Sequence, residues 1–134
     1  MNILPENIQK TIEEFSKLPG IGEKTAQRLT FFLLRRRNED VMQFGEAVGR
    51  LKEGIQYCSR CCNLCVKELC GVCQNPQRDP STICVVEEMM DLVAMEKTGE
   101  YHGLYHVLHG VISPIDGVGP DDLKIAELIA RLKK

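Results

Sequence analysis

The sequence predicts an α+β chain of several small modules in series: a helical bundle, a cysteine-held segment and an α/β layer. Three observations predict it. Apolar residues recur at helical spacing over the first 55 positions, six of the seven cysteines then fall between Cys58 and Cys73, and after residue 80 short β-branched runs alternate with helical patterns. A chain of 134 residues has room for one ordinary domain or for two or three such modules.

Residues 5–18 read as the first helix. Pro5 suits a first turn, Ile8, Ile12, Phe15 and Leu18 recur on one face, and Pro19-Gly20 stops it. Residues 22–37 read as a second helix with Ala26, Leu29 and Leu33 on one side. Asn38 suits the N-cap of a third, whose Val41, Phe44, Val48, Leu51 and Ile55 follow a 3-4-3-4 spacing. Three short helices with brief connections should pack as a small bundle. Periodicity vanishes from Tyr57 to Gln74. Residues 83–86 then read as a buried strand, 88–97 as a helix stopped by Gly99, and 104–108 as a second strand. Residues 113–120 form a Pro/Gly loop, and Pro120 opens a last helix carrying Leu123, Leu128, Ile129 and Leu132. The order strand, helix, strand, loop, helix predicts a parallel sheet. Two strands are few for such a sheet, so the unit is expected to be a truncated domain.

Composition narrows the class. The chain is 43% hydrophobic and 27% charged, as globular proteins are, and only 5% aromatic with no Trp. No run reaches the length of a membrane span, and the first seventeen residues lack a signal-peptide apolar core, which places the protein in the cytoplasm. The net charge of −2 argues against a uniformly basic nucleic-acid binder, but the distribution is uneven. Residues 1–60 hold ten Lys/Arg against eight Asp/Glu, and residues 74–134 hold six against ten, with Arg35-Arg36-Arg37 the densest positive run. Nucleic-acid contact, if present, is expected at the N-terminal end.

The string Leu18-Pro19-Gly20-Ile21-Gly22 places two glycines between two helices. They allow a tight turn and close approach to another backbone. Amides at the start of the second helix are free and carry the positive end of its dipole, so they can hold a phosphate oxygen. Lys24 and Arg28, four apart, share a helical face and could grip further phosphates. A plain αα-hairpin has the same spacing, yet the string LPGIGEKTAQRL as a whole resembles a helix-hairpin-helix motif. That resemblance implies contact with the DNA backbone without sequence specificity.

Cys58-x2-Cys61 and Cys70-x2-Cys73 are two CxxC knuckles eight residues apart. Two knuckles complete a four-thiolate zinc site, and clustered thiols in a reducing compartment argue for metal over disulfides. Such a closed site folds its segment and does not catalyse. Cys62-x2-Cys65 is a further CxxC pair; the 58/61 and 70/73 set is preferred because those pairs face each other across a short loop. Cys84 reads as a buried core thiol.

Glu87 ends the first strand, where α/β sheets expose functional groups. It could bind magnesium or serve acid–base chemistry, but no Asp-x-Asp pair accompanies it, and a capping or structural role competes. His102, His106 and His109 invite a metal reading; without matching acids or thiols, local hydrogen bonding is the preferred one. No nucleophile arrangement and no phosphate-cradling P-loop is present.

Taken in order, LPGIGEKTAQR, then CSRC with CGVC, then ICVVEEMMDLVAMEKTGEYHGLYHVLHGVISPIDGVGP are similar to the RecR family of bacterial recombination mediators, over essentially the whole chain. The last string resembles the opening of that family's Toprim domain. The resemblance implies a helix-hairpin-helix module over residues 1–55, a four-cysteine zinc finger over 56–79 and the N-terminal portion of a Toprim domain over 80–134. It implies one structural Zn2+ held by Cys58, Cys61, Cys70 and Cys73, DNA contact through Gly20, Gly22, Lys24 and Arg28, and Glu87 at the Toprim acidic position. It further implies dimeric or tetrameric rings that hold single-stranded, double-stranded or gapped DNA. With RecO and RecF these help load RecA recombinase, in the cytoplasm and at the nucleoid during repair, with no catalytic residue and no membrane partner. Family members continue beyond the position of Lys134. Two other readings stand beside this one: a zinc adaptor that binds only protein, and a magnesium-dependent nuclease or topoisomerase built on the Toprim acid.

Overall fold

The computed structural model describes residues 3–134. The chain forms two compact units, Met1–Glu53 and Gly54–Lys134.

The first unit holds α1 (Glu6–Ser16), α2 (Glu23–Leu34) and α3 (Asn38–Gly49). Pro5 precedes α1 as its N-cap rather than lying in its first turn, and Leu18 falls beyond the helix end, exposed. Helices α1 and α2 pack through Ile12, Ala26 and Thr30, where the Thr30 hydroxyl satisfies itself on the Ala26 carbonyl at 2.8 Å. Helix α2 ends at Leu34, short of the expected Arg37. Asn38 is the first residue of α3 and Arg37 takes the cap position, so the expected asparagine cap is corrected by one residue. Helix α3 also stops at Gly49, which removes Leu51 and Ile55 from its face, and none of its residues is fully buried. Its Phe44 ring lies 6.4 Å from that of Phe15.

The second unit begins with β1 (Gln56–Tyr57) and β2 (Leu64–Cys65), an antiparallel pair within the cysteine segment, followed by the single turn α4 (Gly71–Gln74). Then come β3 (Asp79–Val86), α5 (Met89–Thr98) and β4 (Gly103–Val107). Strands β3 and β4 pair in parallel, with Ile83 opposite Leu104 and Val86 opposite Val107, as the alternation of elements predicts. Gly99 ends α5 at φ 70, a left-handed conformation that glycine adopts without strain. One face of the sheet packs Tyr105 and Val107 with Cys84 and Val86 against Leu92 and Met95 of α5. Pro120 opens a 3-10 turn, Pro120–Asp122, and not the last helix; α6 (Ile125–Leu132) starts after a break in which Leu123 is buried. Among the described residues, no helix is long and apolar enough to cross a membrane.

A bidentate ion pair ties the start of β3 to α5. The Arg78 guanidinium grips Glu96 and also donates to the carbonyls of Tyr101 and Gly103, both at 3.3 Å, while the Tyr105 hydroxyl donates to the same carboxylate. That guanidinium holds the Glu96 carboxyl below its ordinary value.

Candidate nucleic-acid interface and metal centre

The turn between α1 and α2 is set by its glycines. Gly20 sits at φ +79, where a side chain would be strained, and Gly22 is the N-cap of α2 in extended conformation. A Cβ on Gly22 would meet nothing within 4 Å, so nothing in the first unit itself demands glycine there. The Gly22 carbonyl accepts from the Ala26 amide at 2.9 Å, but no side chain caps this end of α2. The amides of its first turn therefore point outward at the positive end of the helix dipole. Lys24 and Arg28 lie exposed along the same helix, four residues apart, as the spacing requires. Of the arginine run, Arg37 pairs with Asp40 at 3.5 Å; among the described residues, Arg35 and Arg36 have no acidic partner.

In the second unit, the hairpin β1–β2 and the turn α4 bring Cys58, Cys61, Cys70 and Cys73 together. Their four sulfur atoms lie within 4.8 Å of one another and all four residues are buried. Cys61 Sγ and Cys70 Sγ are 3.6 Å apart, far beyond a disulfide bond and close to the edge of about 3.8 Å that a tetrahedron of zinc–sulfur bonds would have. The cysteines are free thiols. In this enclosure the hydrogen bonds from Cys61 and then Cys73 hold the Cys70 thiol down. Hydrogen bonds to Cys70 and then Cys73, reinforced by burial, hold the Cys61 thiol well up. Four buried thiols converging from two turns, at a sulfur spacing close to a tetrahedral edge, fit a soft divalent metal. Cys62 and Cys65 stand outside it: Cys62 is buried at φ 65, and Cys65 Sγ donates to the Lys67 carbonyl at 2.9 Å.

The knuckle also braces the sheet. The Val107 amide, on the edge of β4 away from β3, donates to the Cys61 carbonyl at 2.9 Å. His109 Nε2 meets the Cys62 carbonyl at 2.5 Å, and its ring lies 4.9 Å from that of Tyr57. His106, fully buried, places Nε2 at 2.9 Å from the Lys124 carbonyl, and burial pushes its pKa down. These two histidines thus do make hydrogen bonds, but to residues 47 and 18 positions away rather than to neighbours. The Glu87 side chain is exposed, and its carbonyl accepts from the Gly110 amide at 3.0 Å. The cap of α5 belongs to the next residue: the Glu88 amide donates to Asp91 at 3.0 Å, so the capping role considered for Glu87 is corrected.

A glycine hairpin with a bare helix N-terminus, a four-thiol cluster and a parallel α/β layer define a class of small modular proteins built from helix-hairpin-helix, metal-knuckle and Toprim-like parts. Comparison with known families agrees on two of the parts. Residues 8–51 match the family described as RecR, helix-hairpin-helix, and residues 81–132 match the Toprim domain. Among whole proteins, the chain is 55% identical over 129 residues to the recombination protein RecR of Staphylococcus saprophyticus, covering 96% of this chain and 65% of that protein. It is 50% identical over 131 residues to the recombination protein RecR of Herpetosiphon aurantiacus, covering 98% of this chain and 64% of that one. It is 53% identical over 126 residues to its counterpart in Chloroflexus aurantiacus, covering 94% and 62%. The chain belongs to the RecR family, and it spans a little under two thirds of the length of these relatives.

Proposed function

We propose that the protein is a DNA-binding mediator of recombinational repair, not an enzyme. It holds DNA without sequence specificity as a dimeric or tetrameric ring and helps RecO and RecF load RecA. The observation that carries the reading is the uncapped N-terminus of α2 behind Gly20-Ile21-Gly22, with Lys24 and Arg28 exposed beyond it. Free amides and two cations on one helix suit phosphate, which is common to every sequence. Membership of a family whose relatives are named recombination proteins supports the same direction.

The modules divide the work. Residues 1–55 contact DNA, residues 56–79 hold one structural Zn2+ through Cys58, Cys61, Cys70 and Cys73, and residues 80–134 form the Toprim part, with Glu87 its acid. A divalent metal held there would tie the four thiolates together and offset half of their charge, and the Cys61 carbonyl braces β4 through the Val107 amide. The protein acts in the cytoplasm.

The test is anisotropy of a labelled gapped DNA over a range of salt concentrations, comparing wild type with Lys24→Ala/Arg28→Ala at matched oligomeric state and zinc content. The double variant is expected to bind more weakly and to flatten the log–log salt slope by about 1.4–1.8, the share of two phosphate contacts. Equal binding by the two proteins would refute the hairpin as the contact. No binding by either would favour a zinc adaptor that meets only protein.

A further inference from the structure

The hairpin accounts for only the first turns of α2. Beyond them, Lys24, Arg28, Phe32 and Arg36 follow one another at intervals of four, so they form a single row along the helix and into the residues just past it. Phe32 is 50% exposed and its neighbour Phe31 36%, although an apolar ring in water gains nothing for the fold. The Arg36 guanidinium lies over the Phe32 ring, 5.3 Å from its centroid. Arg28, Phe31, Phe32 and Arg35 line a groove of about 590 Å³, and no acidic residue lines it.

We propose that this face is a base-stacking site. Phe32, flanked by Arg35 and Arg36, takes an unpaired DNA base while the start of α2 holds the phosphates of the same strand. The proposal rests on the DNA-binding reading above and names the form of DNA that the site selects. Three features support it. An aromatic ring beside guanidinium groups is the surface on which single-stranded bases stack without regard to sequence. The ring lies about 12 Å along the helix from Lys24, so one strand can meet both. The charge speaks against a second copy as the occupant: a two-fold contact sets this face against itself and brings eight cations together with no acid among the groove residues. A strand with unpaired bases supplies both what the cations and what the rings lack. Intact duplex, with its bases stacked inside, supplies only phosphate.

The experiment measures the affinity of the full, zinc-loaded chain for a labelled oligothymidylate and for an abasic strand of equal length and charge. Wild type is compared with Phe32→Leu and Phe32→Tyr, with light scattering and thermal melting on each protein. Wild type should bind the abasic strand roughly tenfold more weakly than the thymidylate, Phe32→Tyr should match wild type, and Phe32→Leu should bind both strands alike, at the abasic level. The proposal is overturned if wild type does not distinguish the strands, or if Phe32→Leu retains the full penalty for losing the bases. It is also overturned if Phe32→Leu changes the subunit count while that penalty persists, which would make the face a contact between copies. Failure of wild type to bind either strand at low salt would instead bring down the DNA-binding reading itself.

Discussion

Removal of metal from the cysteine cluster should unfold much of the second unit, because little else holds its first twenty residues. The buried residues of that segment are the four thiols together with Cys62 and Asn63, and the packed neighbours Leu69 and Val72 are only half buried. Its two strands are two residues long, too short to persist alone. Structural zinc at a four-thiolate site contributes on the order of 10 kcal/mol at neutral pH. A unit of about 80 residues has a net stability of roughly 4–12 kcal/mol, so the metal's share is as large as the whole. The damage should spread along one identified bond. Cys61 lends its carbonyl to the Val107 amide, so loosening of the knuckle frees the outer edge of β4. The assay is amide hydrogen exchange with and without a strong chelator, read at Val107 and at Leu108, whose amide bonds to Val86 across the sheet. Val107 should lose protection in the apo form, Leu108 should follow where the sheet itself opens, and Cys61→Ser should reproduce the effect. A chelated protein that melts within a degree or two of the untreated one, with Val107 still protected, would refute the reasoning.

Two further perturbations separate fold from function. Gly20→Ala should cost about 1–2 kcal/mol, measured by urea denaturation, because it forces a side chain to φ +79. Gly22→Ala meets open space at an ordinary φ, so it should cost well under that while weakening binding to gapped DNA; unchanged DNA affinity would mean that no phosphate approaches this backbone. The Arg78–Glu96 pair, with side chains 14% and 30% exposed, lies between surface and buried pairs, and Glu96→Gln should cost about 1–2 kcal/mol at pH 7. Because Arg78 depresses the Glu96 carboxyl, this contribution is complete above the unfolded value near ~4.3 and is lost as pH falls through the lower folded one. The gap between variant and wild type should therefore narrow steadily in acid, and a gap that stays constant as the pH is lowered from 7 through the carboxylate range would sink the ion-pair explanation.

What the sequence made legible were features whose signal is local. Two CxxC pairs at close range announce a four-thiol cluster because each pair is placed by its own turn, and the structure needs only a short loop to bring them together. The glycine hairpin and the alternation leading to a parallel β3–β4 pair are local in the same sense. Periodicity misled where it ran past a helix end. Leu51 and Ile55 continue the spacing of α3, yet the chain leaves the helix at Gly49, and spacing alone carries no stop signal there. The hairpin β1–β2 was invisible because two-residue strands leave no alternation to read. The partners of His106 and His109 and the Arg78–Glu96 pair were equally out of reach, since each joins residues separated by 18 to 47 positions.

Two other long-range bonds explain how so small a sheet can stand. A two-strand parallel pair leaves both edges open, and β4 would expose the Tyr105 carbonyl and the Val107 amide along its outer side. The chain closes both without adding a strand. Arg131 of α6 donates to the Tyr105 carbonyl at 2.6 Å, and the Cys61 carbonyl of the knuckle accepts from Val107. The metal segment therefore serves as the missing neighbour of β4, which ties the four-cysteine cluster to the α/β layer by backbone geometry and not by sequence adjacency. A loss of metal is then felt in the sheet before it is felt in α5, whose contacts run through Leu92 and Met95 on the inner face.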